Sequence, residues 1–198
     1  PGKAAFSQGN SCGKPSSVAI VSRLPFSYRS DSRNPTTEAN AGLTVPEMLG
    51  RPLVTDHLWI VLVNYNGLDD TRRCLQSLVV QTVPVSIVVV DNASRVDPAG
   101  VLASEFPGVE FIQTGCNGGW AGGNNAGLRH ALARGAGLIV LLNNDTVVSE
   151  NFAARLLAAT RQFPEYGILG PIIRYMDPPW EVQTDGVVFN RPGRPGFF

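Results

Sequence analysis

The chain has 198 residues, 43% of them hydrophobic, enough for one full domain or one domain plus a tail. Its formal net charge is +0, which excludes the basic footprint of a nucleic-acid binder and a polybasic membrane patch. Cys12, Cys74 and Cys116 lie far apart with no CxxC pair and no Cys/His cluster, so neither a disulfide framework nor a zinc site is expected. That usage fits a reducing cytoplasm. No apolar run reaches the roughly 18 residues a membrane span needs, and no basic-then-apolar leader opens the chain. A start at Pro1 reads as a fragment or a processed product.

Residues 1–56 are rich in Ser, Pro, Asn and Gly, and only Val18-Ala19-Ile20-Val21 is a short apolar run. Such a stretch buries too little apolar surface to offset its ordering entropy and is expected to be of low order. Gly9 to Lys14 hints at a phosphate loop, but the spacing is short and Pro15 stands where a Ser or Thr is needed.

From Leu58 the pattern changes. Leu58 to Val63 is a continuous apolar run, the mark of a strand buried on both faces, and it ends in Asn64-Tyr65-Asn66-Gly67. Asp69 or Asp70 can cap a helix running to about Val80, with Leu75, Leu78 and Val79 on its inner face. Ile87 to Val90 is a second buried strand, ended by Asp91-Asn92, and Asp97-Pro98 opens a second helix. Val109 to Gln113 is a third strand. A glycine-rich loop from Gly115 to Gly127 follows, then a helix through Leu128, Ala131 and Leu132. Leu138 to Leu142 is a fourth strand, ended by Asn143-Asn144-Asp145, and Ser149 can cap a fourth helix bearing Phe152, Leu156 and Leu157. This alternation predicts an α/β fold with a mostly parallel sheet and right-handed crossovers.

Ligands of such sheets bind outside the carboxyl ends of the strands. All four polar clusters fall on that edge. Any one of them alone reads as turn and cap chemistry, but four together point to a ligand site. The glycine segment can offer bare backbone N–H groups and a helix dipole to a phosphate. It lacks the GxGxxG spacing and does not follow the first strand, so the dinucleotide fingerprint is absent. Asp145 follows a buried strand and suits a divalent cation bridging a diphosphate, which takes one or two protein carboxylates. His57 and His130 read as structural, His130 facing solvent. Cys74 reads as core. Trp120 could stack on a ligand or fill its own loop.

The succession Asn64-Tyr65-Asn66-Gly67, Asp91-Asn92-Ala93-Ser94, Asn117 to Asn125 and Asn143-Asn144-Asp145 resembles the family 2 glycosyltransferases, particularly their rhamnosyltransferase-like branch. The resemblance covers roughly residues 58–190. It implies a GT-A fold, a nucleoside diphosphate sugar donor, a divalent cation (magnesium or manganese) and a glycan or lipid-linked acceptor in polysaccharide or cell-wall synthesis. It also implies an enzyme at most peripheral to the inner face of the membrane. By position, Asn64 and Tyr65 line the base pocket, Asp91 contacts base or ribose, and Asn66 and Asn92 beside them belong to the substrate-binding set. Gly119 and Asn124 hold the nucleoside. Asn143 and Asn144 accompany Asp145, the metal ligand, where the family carries its DxD motif. Asn143 departs from the first acidic position and leaves one carboxylate. Family members continue well beyond the metal motif to an acidic general base. No match to that segment stands here, so the catalytic residues stay unassigned, and a chain unable to transfer sugar by itself is expected. Two other readings stay open: a sugar-phosphate nucleotidyltransferase and an isolated nucleotide-binding module.

Overall fold

The computed structural model describes residues 20–23, 57–164, 166–176, 181–184, 188–191 and 194–196. Four neighbouring parallel strands make up one side of the sheet: β2 (Leu58–Asn64), β3 (Val85–Asp91), β4 (Glu110–Gln113) and β5 (Leu138–Asn143). The helices between and after them are α1 (Leu68–Leu78), α2 (Ala99–Glu105), α3 (Gly119–Ala133) and α4 (Phe152–Gln162). The sheet is completed by β1 (Ile20–Arg23) and β6 (Ile168–Leu169), giving the order β4-β3-β2-β5-β1-β6. The predicted α/β class and parallel sheet are therefore observed. Two short antiparallel pairs lie outside it: β7 (Ile173–Arg174) with β8 (Val182–Thr184), and β9 (Val188–Arg191) with β10 (Arg194–Gly196).

Strand β1 was not expected. It falls in the stretch read as low-order, yet it pairs antiparallel with β5, from Ile20 opposite Leu141 to Arg23 opposite Leu138. It also pairs with β6, Val21 opposite Leu169. The β5 edge would otherwise present a row of unpaired backbone groups, and even four residues of strand satisfy them. The remainder of residues 1–56, including the Gly9–Lys14 segment, lies outside the described residues.

The buried strands alternate sides, as the pleat requires. Leu58, Ile60, Leu62, Ile87, Val89, Leu138, Val140 and Leu142 pack with Cys74, Leu75 and Leu78 of α1, with Leu102 of α2 and with Ala153, Leu156 and Leu157 of α4. The opposite residues Trp59, Val61, Val88, Val90 and Ile139 pack with Ala131 of α3. Among the described residues, α3 is the helix that covers the second face. It can approach closely because Gly123 and Gly127 stand one helical turn apart on its inner side. A Cβ at Gly123 would lie 2.6 Å from Val63 Cγ1, and one at Gly127 2.3 Å from Val61 Cγ1.

Several local expectations need correction. The N-cap of α1 is Gly67, with no side-chain cap, so neither Asp69 nor Asp70 serves. Val79 lies beyond the helix and is exposed. The N-cap of α4 is Asn151, whose Oδ1 accepts from Ser149 Oγ; Ser149 is not the cap. Asp97 Oδ1 does accept the Ala99 N–H at 2.9 Å at the start of α2. The glycine-rich stretch is loop only up to Gly118, since Gly119 to Gly127 already form the first turns of α3. His130 does not face solvent. Its Nε2 meets Glu110 Oε2 at 2.5 Å, and its ring meets Trp59 edge-on.

Candidate functional site

The crossovers through α1 and α2 carry the chain from β2 to β3 to β4, and α3 returns it to β5 on the other side of β2. The strand order therefore reverses between β2 and β5. Open α/β sheets bind ligands at the carboxyl end of that switch point. The registers bring Asn64 opposite Asp91 and Val63 opposite Asn143. The clusters after β2, β3 and β5 thus lie side by side, and the N-terminus of α3 joins them from β4.

Asn64 is buried at the centre. Its Nδ2 donates to Asp91 Oδ1 at 2.7 Å and to Ser94 Oγ at 3.1 Å. Its Oδ1 accepts from Thr71 Oγ1 at 2.9 Å. Asp91 is 2% exposed. Its Oδ1 accepts from Asn64 and from Ser94 Oγ, and its Oδ2 accepts the Ser94 N–H at 3.0 Å. A carboxylate of about four acceptor sites is thereby mostly occupied by the fold itself. Asn66, at φ +54, takes the left-handed conformation that Asn tolerates. Its N–H donates to Ser94 Oγ and its Oδ1 accepts the Arg95 N–H, so the loops after β2 and β3 are laced together. Ala93, at φ +63, has no such tolerance and sits in this lacing under strain. Tyr65 stands beside them, 49% exposed.

Asn92 joins this end to the glycine segment. Its Nδ2 donates to Asn117 Oδ1 and to the Gly119 carbonyl, both at 2.9 Å, and its Oδ1 accepts the Gly118 N–H. Gly119, at φ +68, adopts a backbone that side chains rarely take. Asn124 is buried, and its Nδ2 donates back to the Trp120 carbonyl, bracing the first turn of α3. Trp120 leaves half its surface exposed while its Nε1 donates to Asn143 Oδ1 at 3.0 Å. The indole therefore bridges α3 and β5 and does not fill its own loop.

On the far side, Asn144 Nδ2 donates to Thr71 Oγ1 at 2.9 Å and to the Gly67 carbonyl at 3.3 Å. Asn144 and Asp145 form the turn after β5, and Asp145 is half-buried. Among the described residues no three His, Cys, Asp or Glu side chains converge as a metal cage. Next in sequence to Asp145, Thr146 Oγ1 is buried with no hydrogen-bond partner. The Asp145 carboxylate is of the type that suits a hard, oxygen-seeking cation whose other ligands come with a diphosphate and water. Cys74 lies beneath this turn. Burial pushes its thiol up to about 12, the Asp145 carboxylate adds to the rise, and a hydrogen bond with the Thr146 backbone opposes it. The thiol stays protonated and offers no thiolate.

The structure thus gathers Asn64, Tyr65, Asn66, Asp91, Asn92, Gly119, Asn124, Asn143, Asn144 and Asp145 on one edge of one sheet. Thr71 was not foreseen, although it sits at the heart of the network. Its signal was only its position, seven residues after Asn64 in the first turn of α1.

The model of the family described as glycosyl transferase family 2 matches residues 59–194. An N-acetylglucosaminyl-diphospho-decaprenol L-rhamnosyltransferase of Mycobacterium tuberculosis is 30% identical over 133 residues, covering 63% of this chain and 43% of the relative. A low-salt glycan biosynthesis hexosyltransferase of Haloferax volcanii is 29% identical over 119 residues, covering 60% of this chain and 37% of the relative. Among solved structures, residues 1–349 of Staphylococcus aureus TarS are similar at 21% identity with a TM-score of 0.45, covering 55% of this chain and 32% of that one. The chain thus spans less than half the length of the relatives it matches. The family match runs over every strand end that builds the site, and the chain belongs to glycosyl transferase family 2.

Proposed function

We propose that the carboxyl edge of this sheet binds a nucleoside diphosphate sugar, as part of an inverting GT-A sugar transferase. The observation that carries the reading is the continuous set of hydrogen-bonded polar residues running from Asp91 after β3 to Asn144 after β5, across the switch point. A nucleoside fits the end built by Asn64, Tyr65, Asn66, Asp91, Asn92 and Asn124. The diphosphate fits the gap between the N-terminus of α3, whose dipole favours negative charge, and the turn holding Asp145.

Asp145, with Asn143 and Asn144 beside it, would hold a magnesium or manganese ion that arrives with the diphosphate. When bound, the cation supplies charge compensation for the departing nucleoside diphosphate. The chain's own residues do the rest of the binding. The α3 segment orients the diphosphate, Trp120 walls the cleft beside Asn143, and the Asp91 end fixes the nucleoside. The acceptor hydroxyl would then attack the anomeric carbon in line, from the side opposite the diphosphate, inverting that carbon. Likeness to the mycobacterial rhamnosyltransferase favours rhamnose as the sugar and a lipid-diphosphate-linked saccharide as the acceptor.

Calorimetry with UDP, GDP and dTDP, with and without manganese, tests the reading. The preferred nucleotide should bind more tightly with manganese, by the 1–3 kcal/mol typical of coupled sites. Asp145→Asn keeps the shape and removes the charge, so its nucleotide affinity should no longer respond to manganese. A manganese response of undiminished size in that variant would remove Asp145 from the metal role. Failure of all three nucleotides to bind the unmutated chain would remove the whole reading.

A further inference from the structure

The hydrogen-bond chain across the switch point has a fixed direction, and that direction gives Thr71 a task. Carboxylate Oδ1 of Asp91 can only accept, so the Asn64 amide must turn Nδ2 toward it. Asn64 Oδ1 is thereby committed to the other side, where Thr71 Oγ1 is its donor at 2.9 Å. A hydroxyl has one proton. That of Thr71 serves Asn64 Oδ1 or the Gly67 carbonyl, at 2.9 and 3.0 Å, and its lone pairs accept from Asn144 Nδ2 at 2.9 Å. Asn144 is thus oriented as a donor toward α1, and Asp145 follows it in the same turn. Thr71 is fully buried and Asn64 1% exposed, so bulk water does not compete for these bonds. Gly67 closes the arrangement: a Cβ there would lie 2.9 Å from Asn144 Nδ2.

We propose that Thr71 is a positioning residue that couples the nucleoside end of the site, at Asp91, to the metal end, at Asn144 and Asp145. It touches neither ligand. It holds the orientation of two amides that face opposite ends of the donor site, so that occupation of one end favours the arrangement that receives the other. This rests on the donor-binding reading above. A Thr that only stabilised the fold would lower the melting temperature when altered and leave the coupling alone.

The test is the ratio of nucleotide affinity with manganese to that without it, measured by calorimetry on the full chain. Coupled sites show ratios of about 5–150. Thr71→Val keeps the shape and removes the hydroxyl. Its ratio should fall severalfold below that of the unmutated chain, with little change in manganese-free affinity. Thr71→Ser restores the hydroxyl and should restore the ratio, even if its melting temperature is the lower for the missing methyl. A Thr71→Val protein that melts lower yet keeps the unmutated ratio would overturn the proposal. Should Thr71→Val not fold, Thr71→Ala removes the same hydroxyl with less bulk: a lowered ratio supports the coupling and an unchanged one overturns it. The donor-binding reading fails separately, when the unmutated chain binds none of the three nucleotides; binding that never responds to manganese overturns the coupling instead.

Discussion

Asp91 and Asp145 are the same residue type, placed at and just past the carboxyl ends of the strands that flank β2 on either side, and the fold treats them in opposite ways. Asp91 is the last residue of β3, in register with Asn64. It is almost wholly buried, and its oxygens are held by Asn64 and by the Ser94 hydroxyl and N–H. Asp145 lies two residues beyond the end of β5, in a turn, half-buried and preceded by two neutral amides. A carboxylate inside the ladder becomes a fixed part of the framework. One carried past the ladder by a turn is left partly exposed. The pair shows how one sheet edge holds one carboxylate rigidly inside its framework and sets another in a turn beyond it.

The largest expected effect breaks the Asp91 half of this contrast. Asp91→Ala would leave Asn64 Nδ2 and the Ser94 N–H and hydroxyl short of their acceptor. Buried donors left unpaired cost about 1–3 kcal/mol each, so a loss of roughly 2–4 kcal/mol in folding stability is expected. Nucleotide affinity should fall as well, and by the same factor with and without manganese. Urea unfolding and calorimetry measure the two parts. A loss of affinity confined to manganese-containing buffer would make Asp91 part of the metal end and erase the distinction.

That distinction was only half legible in the sequence. The four buried runs, their common polar edge and the parallel sheet were readable because long apolar segments of β-branched residues leave little choice. Asp91 and Asn64 were readable as edge residues, but not as partners, because cross-strand register is not written in either strand alone. Thr71 escaped because a single Thr in a helix's first turn has no periodicity to reveal it. The start of α3 was read as loop because seven of nine residues from Gly119 to Gly127 are not strong helix formers in isolation, four of them glycine. Tertiary packing overrides that preference: only a residue without Cβ lets α3 reach Val61 and Val63. The strand Ile20–Arg23 was hidden by its Pro- and Ser-rich surroundings, since pairing with β5 is a long-range event.

The packing of α3 supplies a second, smaller test, because Asn124 and Gly119, proposed to hold the nucleoside, ride on this helix. Gly127→Ala gains about 1 kcal/mol of helix propensity but forces a Cβ to 2.3 Å from Val61 Cγ1 and 3.1 Å from Val90 Cγ2. Both valines are fully buried and have nowhere to move. Overpacking of about 1–3 kcal/mol should win, for a net loss near 1 kcal/mol. Gly122→Ala, on the same helix, meets nothing within 4 Å and should stabilise by up to about 1 kcal/mol. Opposite signs in thermal melts, with nucleotide affinity lowered only in Gly127→Ala, would tie the nucleoside end to the seating of α3. Equal signs would show that helix propensity and not close approach governs this segment.

The smallest effect concerns how far the Asp145 charge reaches. Cys74 has its thiol raised from 9.0 to about 12, first by burial and then by Asp145. A group whose folded value lies above its unfolded value binds its proton more tightly in the folded state. Its contribution to stability is fully present below pH 9 and is lost as pH rises from about 9 to about 12. Urea unfolding at about pH 8 and about pH 10.5, with chelator present, should therefore show an alkaline loss in the unmutated chain beyond that of Cys74→Ala. Asp145→Asn removes the second cause and leaves burial in place. Its alkaline loss should be smaller than that of the unmutated chain but larger than that of Cys74→Ala. If Asp145→Asn and the unmutated chain lose stability in parallel, the Asp145 carboxylate does not act on the thiol beneath it. The charge that sets it apart from Asp91 would then lie turned away from α1.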